Sequence, residues 1–437
     1  MDALFGKECQ GFLILAFISF LAPFASCQER LPPSARLAAP VTPKRVRLRN
    51  LVSLGLQHSP ELQQARFAVK AAQGKSLQAG LYPNPTLTGD FVELGDRLGT
   101  GGINAFPIIS QEIVTARKLK LDRKIADGTV NQVTLRITDQ TFSLVVRIRR
   151  KFFEYLTLQQ KLTVLSELRD LASASYRLAQ QLEKAQQIAK LDVLQFAVAK
   201  NQLVARYEAT VEQRTAVWRE LVATVGVPNL PVAEVGGSLE YPLPEYRLDV
   251  AQKIVMHRHP RVLAAHVAVT KAEIALRRAE VEKIPNVTVS AGYIRQNQNK
   301  SDDWMLGVNV PLPLFDRNQG NILAAQAILS QAHLEVNRRQ NELARQIAQA
   351  FGKYQSAKKR AELYQKDILQ DAREAYKLAV AGFRGGEFAY LRVLAAQRTV
   401  AEARLEYLEA RSKAWQAASE ISGLLLEPHW PPTAISK

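Results

Sequence analysis

Asn286 to Ile294 reads NVTVSAGYI, and after a short loop the chain returns as Trp304 to Leu312, WMLGVNVPL. In the outgoing stretch Val287, Val289, Ala291 and Tyr293 fall on one face, with Thr288, Ser290 and Gly292 opposite. In the return, Trp304, Leu306, Val308, Val310 and Leu312 alternate with Met305, Gly307, Asn309 and Pro311. A period of two marks a strand. Two such runs around the turn-rich loop Asn297 to Asp303 predict a hairpin. Each arm has about the 9–11 residues that a barrel strand needs to cross a bilayer. No proline then occurs between Pro313 and Pro428. A structureless tract of that length is implausible, so it is predicted helical.

The same order of features occurs earlier in the chain, offset by 200 residues. Pro60 matches Pro260, Pro85 matches Pro285, and Thr88 matches Thr288. Arg47 and Leu48 match Arg247 and Leu248, and five alanine or valine positions from Ala65 to Ala79 recur in register. Tyr176, Val193, Leu194 and Tyr207 match Tyr376, Val393, Leu394 and Tyr407. Paired prolines and tyrosines in one unshifted register point to duplication of a domain rather than a short-period solenoid.

Each copy is predicted to open with a helix. In the first, Ser59 is a candidate cap, Pro60 suits the first helical position and Glu61 favours the positive helix end. The helix runs to about Leu81 and stops at Tyr82-Pro83-Asn84-Pro85. A strand over Thr86 to Leu94 (TLTGDFVEL) and a less regular return over Ile103 to Gln111 make the first hairpin, around a loop at Gly95 to Gly102. A helix from about Thr115 to Leu182 follows, roughly 100 Å long at 1.5 Å per residue. Leu165, Leu168, Ala172, Ser175, Ala179 and Leu182 step by three and four, as do Leu405, Leu408, Ser412, Trp415 and Ser419. Such spacing, rich in small residues, predicts closely approaching helices. Each long tract folds back once: near Ala185 to Lys190, and at Ala381-Gly382-Phe383-Arg384-Gly385-Gly386-Glu387. The fold class is therefore mainly α with a small β part, in a duplicated unit.

The N-terminus reads as an export signal. Gly11 to Phe24 is a mostly apolar run too short to span a bilayer. Phe24-Ala25-Ser26-Cys27 is similar to a bacterial lipobox, which would make Cys27 an acylated first residue of the mature protein. Simple cleavage near Cys27 without lipid is the alternative. The expected organisation is a signal over 1–27, a Pro-rich tether over 28–45, a first repeat over 46–227, a linker over 228–245, a second repeat over 246–426 and a tail over 427–437. No other segment reaches 18 apolar residues, so any membrane crossing must use strands.

Composition narrows the function. The net charge is +17, yet Lys and Arg are interleaved with Glu and Asp along helical segments, without the dense basic runs and aromatics of a nucleic-acid surface. A solvated helical face is expected, and no nucleic-acid partner. The two cysteines, Cys9 and Cys27, both precede the body. His257 and His259 lack an acidic or Cys partner at ligand spacing, so no metal site is predicted. No phosphate loop, nucleophile elbow or metal cluster is present, so neither a cofactor nor an enzyme is expected.

His58-Ser59-Pro60-Glu61-Leu62, Leu81-Tyr82-Pro83-Asn84-Pro85, Ser110-Gln111-Glu112-Ile113 and Val310-Pro311-Leu312-Pro313-Leu314-Phe315-Asp316-Arg317-Asn318 stand in one order along the chain. With the Gly-rich fold-back and Val393-Leu394-Ala395-Ala396-Gln397, this order resembles the TolC family of outer-membrane efflux proteins, and most of all the outer-membrane subunits of heavy-metal and related tripartite pumps. The resemblance covers Val46 to Leu426. It implies a homotrimer in which each subunit lends four strands to one barrel in outer-membrane lipid. Paired helices would form a hollow α-barrel in the periplasm. The fold-back tips would dock on a periplasmic adaptor that leads to an inner-membrane pump. The channel would be a passive, gated duct. Gly382, Arg384, Gly385 and Gly386 are the candidate adaptor-docking tip, the glycines being expected to let the chain reverse with φ > 0, with turn geometry alone as the alternative. In the family, acidic residues ring the gate near the Val-Leu stretch. Here Asp192 precedes Val193, and Arg392 precedes Val393. The expectation is that Asp192 and Arg392 pair across neighbouring hairpins in the closed state; ordinary solvated charges are the alternative. The rival reading of the chain, a periplasmic or cytosolic coiled-coil scaffold, leaves the two hairpins and the signal unexplained.

Overall fold

The computed structural model describes residues 45–92, 102–297, 299–385, 387–428 and 430–431, and of Arg384 the backbone alone. The export signal, Cys27, most of the tether and Gly386 lie outside the described residues.

The first copy contains β1 (Arg45–Arg47), α1 (Leu48–His58), α2 (Pro60–Ala79), β2 (Thr86–Val92), β3 (Ile103–Ile113), α3 (Lys118–Lys184) and α4 (Lys190–Val225). β4 (Glu234–Gly236) lies between the copies. The second copy contains α5 (Leu248–Arg258), α6 (Pro260–Val281), β5 (Val287–Gln296), β6 (Ser301–Asn309), α7 (Gln319–Leu363), a π-helical turn (Tyr364–Ile368), α8 (Leu369–Arg384) and α9 (Tyr390–Leu424).

The opening helix of each copy is broken one residue before its proline, because proline lacks the N–H that would continue the preceding turn. Ser59 is not the side-chain cap expected of it. It is buried, and its N–H donates to Gly55 O at 3.0 Å. In the second copy the same position holds His259, whose Nδ1 accepts the Arg261 N–H at 3.2 Å. This cap needs a neutral ring. Burial pushes His259 down to about 4, against the opposing pull of Asp139, whose Oδ1 is 3.9 Å from Nε2. Its H-x-H companion His257 is exposed and takes no part. A folded-state pKa below the unfolded value of about 6.5 means the unfolded chain binds the extra proton first. Stability from this group is therefore whole above about pH 6.5 and is lost as the pH falls towards 4, by up to about 3 kcal/mol. Thermal unfolding between pH 7 and 4 is expected to show this slope, and His259→Gln to flatten it; an equal slope in the variant would refute the assignment.

The four longer strands form one antiparallel sheet in the order β2-β3-β5-β6. Its register places Leu87, Ile109, Ala291 and Leu306 in one file across all four strands. Thr86, Ser110, Ser290 and Gly307 form a file on the opposite face. At these rows one face is thus apolar and the other small and polar. The apolar face is solvent-exposed in the single chain, with Leu306 at 77% and Trp304 at 87% exposure. β2 and β6 are open edges.

The helices repeat this order. α3 packs against both α2 and α6, and α6 against α7, leaving α2 and α7 as the ends of a row. Further along, α3 pairs with α4, and α9 with α7 and α8. The predicted small-residue seam holds: Leu165, Leu168, Ala172 and Ala179 are buried in one hairpin, and Leu408, Ser412, Trp415 and Ser419 in the other. α3 runs unbroken for 67 residues, about 100 Å. Its counterpart carries the π-helical turn, which periodicity did not predict.

The core lies where the two copies meet. Phe153 of α3 stacks on Trp415 of α9 at 4.9 Å, and Trp430 packs edge-on against both. Arg149 lies 4.8 Å over the Trp430 ring and donates to Ser422 Oγ (2.8 Å) and Glu427 O (3.2 Å). Burial lowers it to about 10, so it stays charged at neutral pH. The stretch between the copies is part of this core. β4 pairs in parallel with β1, Leu239 is fully buried, and Leu239 O accepts from Trp415 Nε1 (3.0 Å) and Arg411 Nε (2.8 Å).

Candidate functional site

The two fold-backs reverse by different means. At the first, helix α3 ends with Gln186 in the left-handed region at φ 58°, and Gln187 N–H donates to Leu182 O at 2.9 Å. This is the bonding of a glycine-terminated helix, achieved with a glutamine. At the second, Gly385 has φ −80° and Gly382 is helical. Among the described residues, the glycines of this tip therefore do not serve by positive φ, contrary to the sequence expectation. Gly382 is needed for space instead. A Cβ there would meet the Phe388 ring at 2.3 Å, and Gly382 O accepts the Glu387 N–H at 2.8 Å.

Asp192 and Arg392 occupy the same third position in their helices. Asp192 Oδ2 accepts the Ala189 N–H at 3.2 Å, closing the start of α4. A carboxylate suits that place, because the helix N-terminus carries partial positive charge. Arg392 opposes the same field, and it is held 4.7 Å over the Phe388 ring at the start of α9. Within one chain the two residues thus have separate partners.

Three aromatic residues that sequence reasoning passed over join the hairpins here. Tyr390 packs on Phe196 of α4 (centroids 4.1 Å) and on Phe383 of α8 (4.9 Å). Phe196 is almost fully buried. Burial raises the Tyr390 hydroxyl, partly offset by a hydrogen bond with Ser175 and reinforced by Tyr376. The available signal was that Phe196 and Tyr390 follow the two turns closely, where solvated tips have little use for aromatics. Beside this cluster a cavity of about 380 Å³ separates α3 and α4 from α9, lined by Leu168, Ala172, Phe196, Leu394 and Gln397 among others. The hairpins are therefore pinned at one aromatic contact and unsealed next to it.

The chain thus presents a two-edged sheet on a two-ended row of helices that ends in paired tips. Residues 253–425 match the family model described as outer membrane efflux protein. The chain is 27% identical over 417 residues to the cobalt-zinc-cadmium resistance protein CzcC of Cupriavidus metallidurans, covering 93% of this chain and 97% of that one. The nickel and cobalt resistance protein CnrC of the same organism is 36% identical over 123 residues, 26% of this chain and 29% of that protein. The fold is shared with crystal structures of CusC (TM-score 0.75, 17% identity, 86% of this chain and 91% of that one). It is shared also with the open state of the Neisseria gonorrhoeae MtrE outer membrane channel (TM-score 0.74, 14% identity, 87% and 88%). The protein is an outer membrane efflux channel, similar to CzcC along nearly its whole length.

Proposed function

We propose that three copies close one duct, with the strands in outer-membrane lipid and the helices in the periplasm. The observation that carries this is the coincidence of edges. β2 follows α2 and β6 precedes α7, so the sheet and the helix row are open on the same two sides. Joining β6 and α7 of one copy to β2 and α2 of the next continues both layers, and a head-to-tail contact of this kind makes a ring when the rotation closes. The exposed apolar file then faces lipid and the Thr-Ser-Gly file faces the lumen, as transmembrane barrels require.

The tips Ala185–Ala189 and 385–389 are the proposed docking points for a periplasmic adaptor linked to an inner-membrane pump, with Gly382, Arg384, Gly385 and Gly386 at the second. The channel does no chemistry; the pump supplies the energy. The gate is the ring of tips. Asp192 of one hairpin pairs with Arg392 of its neighbour when closed, which gives Arg392 the anionic partner that its helix end withholds. The resistance proteins to which the chain is similar are named for cobalt, zinc, cadmium and nickel, and divalent transition-metal ions are the proposed cargo.

Fractionation tests the core of this reading. The protein is expected in the outer-membrane fraction, extractable only with detergent, and at three times the subunit mass by light scattering. A monomer released without detergent would favour the coiled-coil scaffold and end the channel reading.

A further inference from the structure

The junction between sheet and helices is built twice in the sequence but completed once in the chain. Where β3 turns into α3, Thr115 Oγ1 donates to Pro285 O at 2.7 Å, and Lys118 Nζ donates to Asn286 Oδ1 at 3.0 Å. Asn286 Nδ2 donates in turn to Glu112 Oε1 at 2.7 Å, and Glu282 lies 3.7 Å from Lys118. Lys118 is only 2% exposed. Segment 112–118 of the first copy is thus a plug, and the α6–β5 turn of the second copy is its socket, with polar chemistry throughout.

Moved by the repeat offset, the plug becomes segment 312–318 and the socket becomes the α2–β2 turn, where Pro85 stands for Pro285. Here plug and socket sit on opposite edges of the sheet, because one adjoins β6 and the other β2. Both are exposed, and both are apolar where the first pair is polar. Phe315 is 93% exposed, with Leu312 and Leu314 beside it, and Leu81 and Tyr82 are open on the other side. The bare plug also meets its own polar needs. Asn318 N–H donates to Asp316 Oδ1 (2.8 Å), Arg317 N–H to Gln319 Oε1 (2.9 Å), and Asn318 Nδ2 to Ala279 O (2.8 Å). It presents Phe315 without asking a partner for hydrogen bonds.

We propose that Leu314 and Phe315 of one copy seat on Leu81, Tyr82 and Pro83 of the next, and that the contrast between a polar seam within the chain and an apolar seam between chains fixes the register of assembly. The proposal rests on the homotrimer reading above. Its occupant is a second copy rather than lipid, because the equivalent plug inside the chain is seated on protein. The contrast works by exclusion. An apolar plug forced into the internal socket would strand Asn286 and the Pro285 carbonyl without partners, and the Lys118 plug in the apolar socket would bury an unpaired ammonium; both mismatches are costly.

The test uses the full-length protein in membranes. Tyr82→Cys combined with Phe315→Cys, after mild oxidation, is expected to give covalent dimers and trimers on a non-reducing gel that collapse with reductant, while each single variant stays monomeric. Phe315→Lys is expected to lower the fraction extracted as trimer about tenfold, as loss of a central apolar anchor does, and Phe315→Leu to retain it. A wild-type trimer that gives no ladder in the double variant, or that assembles equally well with Phe315→Lys, overturns the seam and leaves the channel reading standing. A wild-type protein that is not a trimer overturns both.

Discussion

Replacing Trp415 with alanine is expected to destabilise the protein by about 3–5 kcal/mol, the range for truncating a buried Trp. Trp415 is 1% exposed and lies between Phe153 of the first copy and Trp430 near the chain's end. Its indole N–H also holds Leu239 O in the stretch between the copies. One truncation therefore opens a cavity that touches both repeats and removes one donor from a buried carbonyl, which Arg411 still reaches. Trp415→Phe keeps the stacking and loses the hydrogen bond, and is expected to cost nearer 1–2 kcal/mol. Near-ultraviolet circular dichroism during thermal unfolding reads both. An unchanged midpoint for the alanine variant would mean that the copies do not depend on this contact.

The second large effect is on conduction. Arg392→Asp is expected to raise closed-state ion conductance in planar bilayers by about tenfold. An exposed pair contributes about 0–1 kcal/mol, and three such pairs around a ring supply the roughly 1.4 kcal/mol that a tenfold shift in population needs. The variant should not harm the tip itself. An aspartate at the third position of α9 complements the helix end by about 0.3–1 kcal/mol, as Asp192 does in α4. Greater conductance with an unchanged or higher unfolding midpoint separates gating from damage. Asp192→Arg is expected to raise conductance too, but it also removes the bond to Ala189 N–H. The double reversal restores opposite charges and is expected to return conductance towards wild type. Wild-type conductance in both single variants would sink the pairing.

The outer parts of the fold were legible because their signals are local. The period of two over β5 and β6, the prolines that start α2 and α6, and the proline-free tracts each depend on residues a few places apart. The fold-backs were legible as positions but not as mechanisms. Glycine at the second tip suggested positive φ, whereas Gly382 leaves room for Phe388, a contact between residues six apart across a turn. Ser59 had the composition of a cap, yet the buried break left its hydroxyl unused in capping, and the capping side chain belongs to His259 in the other copy. What the linker 228–245 touches was not legible: its carbonyls accept hydrogen bonds from Tyr155, Trp218 and Trp415 of three helices.

By itself, then, the sequence determined the repeat, the alternating hairpins, the long helices and the turns that end them, because backbone propensity and side-chain period act over one or two turns of chain. Only the tertiary structure decided which edges stay open, that the apolar residues of four strands fall in one file, and that the Lys118 junction is satisfied within the chain while its Phe315 counterpart is bare. Those are matters of register between segments 170 or more residues apart, as in the bond between Thr115 and Pro285. No local preference encodes them. They are set by which buried polar groups find partners when the two copies close on one core.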